Sequence, residues 1–206
     1  MANVIDIDAQ GEQGLRQAAE ALKAGKLVVF PTDTVYGIAA DAFNDQAVSD
    51  LLAAKGRGRD MPPPLMLADP SMLKLVADPI PEAAMRLAEA YWPGALTLVL
   101  ETRMGLELDL GDLETVAVRV PDHEYLRELL RRTGPLAVSS ANRSGLPAAT
   151  TAFKAEQMLG DSVAVYLDGG VSDGNAVSTI VSFVQDGTPK ILRQGKLSAE
   201  QISTAV

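Results

Sequence analysis

The sequence contains no cysteine. That excludes disulfides, thiolate nucleophiles and cysteine-ligated zinc. It holds one histidine, His123. Any Ser-His-Asp triad must use it, and a multi-histidine metal site cannot be built. His123 follows Pro121-Asp122 at the head of a helix-like run, and its position reads as a solvated first-turn residue rather than a catalytic one. No run approaches the ~18 consecutive apolar residues of a membrane span. The opening MANVIDIDAQ lacks the basic cluster and apolar core of a secretion signal, so a cytoplasmic location is expected. Neither G-x-x-x-x-G-K-[ST] nor G-x-G-x-x-G occurs, which leaves P-loop and Rossmann sites without support. Basic residues are also in deficit: 18 Lys and Arg stand against 27 Asp and Glu, a net charge of -9. This argues against an extended nucleic-acid face and leaves room for one local basic pocket.

What is present is an ordinary globular composition. The 206 residues, 47% apolar, fit a single domain over 1–206. Helical and strand patterns alternate. EQGLRQAAEALKAG spaces Leu15, Ala18, Ala19 and Leu22 as one helix face before Gly25. KLVVFPT is a buried strand stopped by Pro31. NDQAVSDLLAAKG starts at an Asn44 or Asp45 cap. Ser71 is expected to cap MLKLVAD, and Pro81 suits the first turn of PEAAMRLAEAY. PLMLAD, ALTLVLE, TVAVRVP, PLAVSS, VAVYLDGG, AVSTIVSFV and PKILRQG read as strands. HEYLRELLRR and TAFKAEQMLG read as helices, and Ser198 with Gln201 forms a capping-box pattern. The predicted class is α/β, with a twisted sheet mixing parallel and antiparallel strands and flanking helices.

Several loops at strand ends carry more polar groups than a connection needs. PTDTVYGIAADA offers Thr32, Asp33, Thr34 and Tyr36; backbone bonding within a turn explains them as well as a ligand does. AKGRGRDMPPPL concentrates Lys55, Arg57 and Arg59 between glycines and ahead of Pro62 to Pro64. Glycines let a backbone approach a ligand and turn N–H groups toward an anion, and prolines stiffen the exit. A phosphate-bearing ligand accounts for both. VSSANRSGLPAATT ends a strand on Ser139 and Ser140 and continues through Asn142. VSTIV places Ser178 and Thr179 in an apolar strand, where hydroxyls need partners. Arg119 alternates with valines in AVRVP, and Arg193 ends a strand in ILRQG. Arg57, Arg119 and Arg193 are candidates to converge on one anion.

Taken in order, PTDTVYGIAADA, KGRGR with Pro62, WPGALTLVL, VRVP, SSAN-S-G, STIV and LRQG resemble the YrdC/Sua5 family of threonylcarbamoyl-AMP synthases. The resemblance runs from the first helix to Gly195. The family's K-x-R and S-x-N look like Lys55-Gly56-Arg57 and Ser140-Ala141-Asn142. The chain is similar to the short type without a further C-terminal domain. The resemblance implies a YrdC-like fold with a concave, positively charged cavity. It implies a reaction joining L-threonine, bicarbonate or CO2, and ATP into threonylcarbamoyl-adenylate with release of pyrophosphate. The product would pass to a separate transferase complex for the t6A modification of tRNA.

By that resemblance Lys55 and Arg57 are the catalytic candidates. Lys55, Arg57, Ser140 and Asn142 would bind ATP and its phosphates, with Arg119 and Arg193 assisting. Thr34 and Ser178, and the neighbouring Thr32, would serve threonine. Mg²⁺ would accompany ATP, with protein ligands unassigned. Two departures stand out. Gly58 and Arg59 occupy the place where the family often has proline. No histidine follows in PPPLMLAD, so Arg59 is a candidate replacement cation or phosphate ligand. A non-catalytic RNA-binding module with a basic concave face, or weak tRNA binding beside catalysis, is the alternative from another class. A carbamoyl-transfer domain is disfavoured by the missing cysteine and the absence of zinc-finger-like segments.

Overall fold

Apolar runs too short for helices become strands here, and periodic runs become the helices that cover them. A computed structural model describes residues 3–58, 62–106, 114–172, 177–184 and 187–206. Its strands are β1 (Asn3–Asp6), β2 (Val28–Phe30), β3 (Gly37–Asp41), β4 (Leu65–Met66), β5 (Leu96–Glu101), β6 (Thr115–Arg119), β7 (Leu136–Ser140), β8 (Val165–Asp168), β9 (Thr179–Ser182) and β10 (Lys190–Arg193). They form one sheet in the order β1-β8-β2-β3-β7-β4-β6-β5-β9-β10. The pairs β1/β8, β2/β8, β4/β6 and β5/β9 are parallel; β2/β3, β3/β7, β4/β7, β5/β6 and β9/β10 are antiparallel. The mixed sheet inferred from the sequence is the one observed.

Helices α1 (Ile7–Lys23) and α5 (Glu124–Thr133) cover one face. Leu15, Ala18 and Leu22 of α1 and Leu126, Leu129 and Leu130 of α5 pack there with Val28, Phe30 and Ala39. The helices α2 (Asp45–Lys55), α3 (Leu73–Val76), α4 (Glu82–Tyr91) and α6 (Ala152–Leu159), and the terminal α7 (Ala199–Thr204), lie against the other core. Val29, Ile38 and Ala40 point into it, the alternation required of strands buried on both sides. Each fully buried leucine contributes about 1.5–3 kcal/mol.

Cap chemistry sets the helix starts. Asp6 accepts from the N–H groups of Asp8 and Ala9, Asn44 from Ala47, and Thr151 from Lys154. The Ser198–Gln201 capping box is present. Three local readings are corrected. Residues Asn3–Asp6 form an edge strand and α1 begins at Ile7, five residues before the segment EQGLRQAAEALKAG read as helical from the sequence. Asp69, not Ser71, caps the turn before α3, because Pro70 presets its first helical residue. His123 is not a solvated first-turn residue. It is the half-buried N-cap of α5, and its Nδ1 accepts from the Leu126 N–H at 3.4 Å. Among the described residues no helix is long and apolar enough to cross a membrane.

Candidate functional site

The loop between β2 and β3 lies at the centre of the site. Its first polar residue, Thr32, is buried and fully committed. Its Oγ1 donates to the Val35 carbonyl at 2.7 Å and accepts from the Thr34 N–H at 3.1 Å. A hydroxyl has one proton, so the 2.9 Å contact between the two threonine hydroxyls is a donation from Thr34. Thr32 therefore shapes the loop, and Thr34 keeps a lone pair for a ligand. Tyr36 anchors the loop's far end. Its hydroxyl donates to the Gly170 carbonyl at 2.7 Å and accepts from the Gly169 N–H at 3.0 Å. Burial pushes this phenol up to about 12.

Asp33 leaves the loop in another direction. Its Oδ2 accepts from Arg119 Nη2 at 2.6 Å, with both side chains largely buried. Four strand positions separate β2 from β6, about 19 Å in a flat sheet. The 2.6 Å contact shows that the chain nonetheless brings the loop after β2 to the end of β6. Arg119 also donates through Nε to the Gly94 carbonyl at 2.9 Å, so the W-P-G turn supplies its second acceptor. Burial lowers the affinity of Arg119 for its proton and Asp33 opposes this. Asp33 Oδ1 is buried without a hydrogen-bond partner. Burial likewise depresses the His123 pKa, with Asp33 opposing it.

Arg193 joins the cluster from β10. Its Nη2 donates to Ser178 Oγ at 3.1 Å and to the Ser178 carbonyl at 3.0 Å. Ser178 Oγ also accepts from Thr97 Oγ1 at 2.8 Å. Both acceptor positions of that hydroxyl are thus used, and its proton remains to be donated. Gly195 makes the approach possible, since a Cβ there would lie 2.2 Å from the Val177 carbonyl oxygen. The Arg193 charge acts directly on Arg119, so these two arginines share one neighbourhood.

The K-x-R residues sit at the end of α2. Gly56 has φ 63°, left-handed, and closes the helix. Its N–H bonds to the Ala53 carbonyl and that of Arg57 to Leu52, both at 2.9 Å, the paired bonds of a Schellman ending. This corrects the sequence reading of that glycine. Its N–H is consumed by the helix end and does not point at an anion. Lys55 is 3% exposed. Its Nζ donates to the Ser140 carbonyl, to the Asn142 carbonyl at 2.9 Å and to Asn142 Oδ1 at 3.4 Å. Burial and the nearby Arg57 charge push its pKa down to about 8. Arg57 is half-buried, and its guanidinium makes no hydrogen bond or ion pair within the described residues.

The expected residues therefore form three linked groups. Lys55, Ser140 and Asn142 touch one another. Arg119, Arg193 and Ser178 form a second group, which Asp33 joins. The loop carrying Thr32 and Thr34 connects the two, since the Ala141 N–H bonds the Tyr36 carbonyl at 2.7 Å and Gly37 pairs with Ser140. Arg57 is placed beside Lys55 and is not linked to the other two arginines by any described contact. Arg59 lies outside the described residues. Sequence reasoning missed Asp33 as the partner of Arg119; the signal available was a carboxylate between two threonines and an arginine among buried valines. A groove of about 550 Å³ lies elsewhere, lined by Lys26, Asp50 and Asp161 among others, and shares no residue with this site. Among the described residues no group of three or more His, Cys, Asp or Glu could hold a metal ion.

Fold and site together define an α/β protein that sets a lysine against an S-x-N loop and, beside it, two arginines with a serine hydroxyl and one buried carboxylate. The chain belongs to the Sua5/YciO/YrdC family, whose sequence model, described as "Telomere recombination", matches residues 20–195. It is 50% identical over 195 residues to a Mycobacterium tuberculosis protein provisionally named a threonylcarbamoyl-AMP synthase, covering 94% of this chain and 89% of that one. It is 39% identical over 208 residues to the Bacillus subtilis threonylcarbamoyl-AMP synthase, covering 99% of this chain and 60% of that one. Among solved structures it resembles Pyrococcus abyssi Sua5 complexed with L-threonine, at 36% identity and a TM-score of 0.89. The match covers all of this chain and 60% of the Sua5 chain.

Proposed function

We propose that this chain is a threonylcarbamoyl-AMP synthase, acting as one catalytic unit on ATP, L-threonine and bicarbonate or CO2. One observation carries the reading. Lys55 of the K-x-R motif, far away in sequence, is in direct contact with Ser140 and Asn142 of the S-x-N motif, in a chain 36% identical along its whole length to a threonine-complexed Sua5.

The chemistry asks for little covalent work by the protein. The threonine amine attacks CO2, forming a C–N bond and losing a proton, to give N-carboxythreonine. A carboxylate oxygen of that adduct forms a bond to the α-phosphorus, and the bond from that phosphorus to the bridging oxygen breaks to release pyrophosphate. Such a displacement needs the triphosphate held in line and neutralised. Arg57, whose guanidinium has no partner among the described residues, is assigned to phosphate. Arg193 and Arg119 keep the Nη1 donors not spent on Ser178, Gly94 and Asp33, and are assigned to an adjacent anionic group. The Ser178 proton and the Thr34 lone pair are assigned to threonine. Fixed donors in a partly dry site are worth more than the same groups in water. Mg²⁺ enters with the triphosphate as part of the substrate, and no step is assigned to it. The product would be consumed by a transferase that modifies tRNA, in a cytoplasmic setting.

The test is to incubate the protein with ATP, threonine and bicarbonate and to seek the adenylate by mass spectrometry, with pyrophosphate measured in parallel. Pyrophosphate release should require both threonine and bicarbonate and no RNA. Full release without threonine, or none with all three substrates, overturns the assignment. An RNA-binding role would instead appear as affinity falling steeply with salt.

A further inference from the structure

Lys55 is the buried cation that the assigned reaction does not need as a phosphate ligand. An ammonium has three N–H donors and no acceptor. Three oxygens already face it: the carbonyls of Ser140 and Asn142, and Asn142 Oδ1. The Asn142 amide is fixed in that orientation, because its Nδ2 donates to the carbonyls of Arg143 at 2.9 Å and Leu146 at 2.7 Å. The backbone closes the same junction from the other side, where the Ser144 N–H donates to the Lys55 carbonyl at 2.8 Å. A phosphate reaching this ammonium would displace one of its oxygens; the Ser140 carbonyl would keep the Asn142 N–H at 2.9 Å, but displacing either Asn142 oxygen would leave a buried acceptor without its bond to Lys55, which is unfavourable. Arg57, two residues later, carries no such commitments among the described residues. The Ser140 hydroxyl likewise makes no hydrogen bond within the described residues.

We propose that Lys55 is a positioning residue, whose ammonium latches the Ser140–Leu146 segment to the end of α2 so that the Ser140 hydroxyl and Arg57 are presented to the nucleotide. Naming the ligand a nucleotide rests on the synthase reading; the latch itself does not. The two candidate roles respond differently to the side chain at this position. A phosphate ligand tolerates arginine, which binds phosphate at least as well as lysine. A latch built to three oxygens around a compact ammonium does not accept a planar guanidinium.

The experiment reads amide hydrogen exchange on the full chain without nucleotide, together with steady-state kinetics. Lys55→Met should speed exchange across residues 141–146 at least tenfold, with α5 within threefold of wild type. Arg57→Met should change neither region. In kinetics, Lys55→Met should lower kcat at least tenfold with the ATP KM within threefold, and Lys55→Arg should show the same loss. If α5 also exchanges fast in Lys55→Met, the whole fold has loosened, and Lys55→Gln, which keeps two amide donors, is measured in its place by the same criteria. Unchanged exchange at 141–146 overturns the proposal. So does Lys55→Arg with wild-type kcat, or an ATP KM raised tenfold at unchanged kcat in Lys55→Met. A wild-type protein that forms no adenylate defeats the synthase reading alone, since the exchange comparison still decides the latch.

Discussion

Replacing Arg119 with methionine tests how the two halves of the site are joined. Arg119 is 6% exposed, and its guanidinium pairs with Asp33 and with the Gly94 carbonyl. Methionine keeps most of the aliphatic bulk and removes both bonds. Asp33 is then left buried with no partner at either oxygen, since Oδ1 already has none. Removing one member of a buried ion pair costs about 3–5 kcal/mol, because the remaining charge is uncompensated. For a chain of this size each kcal/mol moves the midpoint by about 2–4 °C, so the expected loss is about 6–20 °C. Thermal unfolding followed by circular dichroism reads it. The double variant Asp33→Asn with Arg119→Met removes the orphaned charge, and should recover at least about 1 kcal/mol relative to Arg119→Met alone. An Arg119→Met protein within about 1 kcal/mol of wild type would refute the reasoning and return Arg119 to a purely ligand-binding role.

Four further outcomes follow from the same geometry. Arg57→Ala should lose most pyrophosphate release while keeping thermal stability within about 1 kcal/mol, because its charge makes no internal bond among the described residues; a large stability loss would show a structural role. Tyr36→Phe should cost about 1–3 kcal/mol by leaving the Gly170 carbonyl and Gly169 N–H unpaired. With its phenol raised from about 10 to about 12, the wild-type protein should also lose stability relative to Tyr36→Phe as pH climbs through that window, a comparison made by denaturant titration. Lys55, lowered to about 8, acts in the opposite sense. Between about pH 8 and the ordinary lysine value near 10.4 the unfolded chain binds the extra proton, so wild-type stability should rise relative to Lys55→Met across that range; a falling difference would contradict the burial that causes the shift.

The strand and helix order was legible because nearly every element is a short apolar run or an amphipathic stretch bounded by Gly, Pro or a cap residue. β1 was not legible, since only Ile5 of its four residues is buried, and one buried side chain gives no alternation to read. The K-x-R and S-x-N motifs were visible as polar clusters, and resemblance named them, but their mutual contact depends on β3 lying between β2 and β7 in the sheet. No local pattern carries that order. Arg119 in a valine strand looked equally suited to solvent or to a ligand, because its partner Asp33 comes from a loop 86 residues earlier. Gly56 looked like a ligand-facing hinge because glycine serves a helix ending and an anion nest by the same freedom. Only the cap bonds distinguish the two.

The sheet order also bears on how the protein comes to exist as a working molecule. Asn3 pairs with Val165, and Val28 pairs with the same residue from the other side. The β8 strand therefore inserts between two of the first strands to emerge during synthesis, and Arg193 arrives later still. No nascent fragment can present a complete site. Until β8 is in place, β1 and β2 each expose the edge it fills, which makes the incomplete chain prone to association. Occupancy of the finished site then rewards only the fully assembled sheet, so a substrate binding at a hundred times its Kd would add about 2.7 kcal/mol to the stability of the whole chain rather than of one lobe. In a cell, substrate supply and protein lifetime would be coupled through that single term.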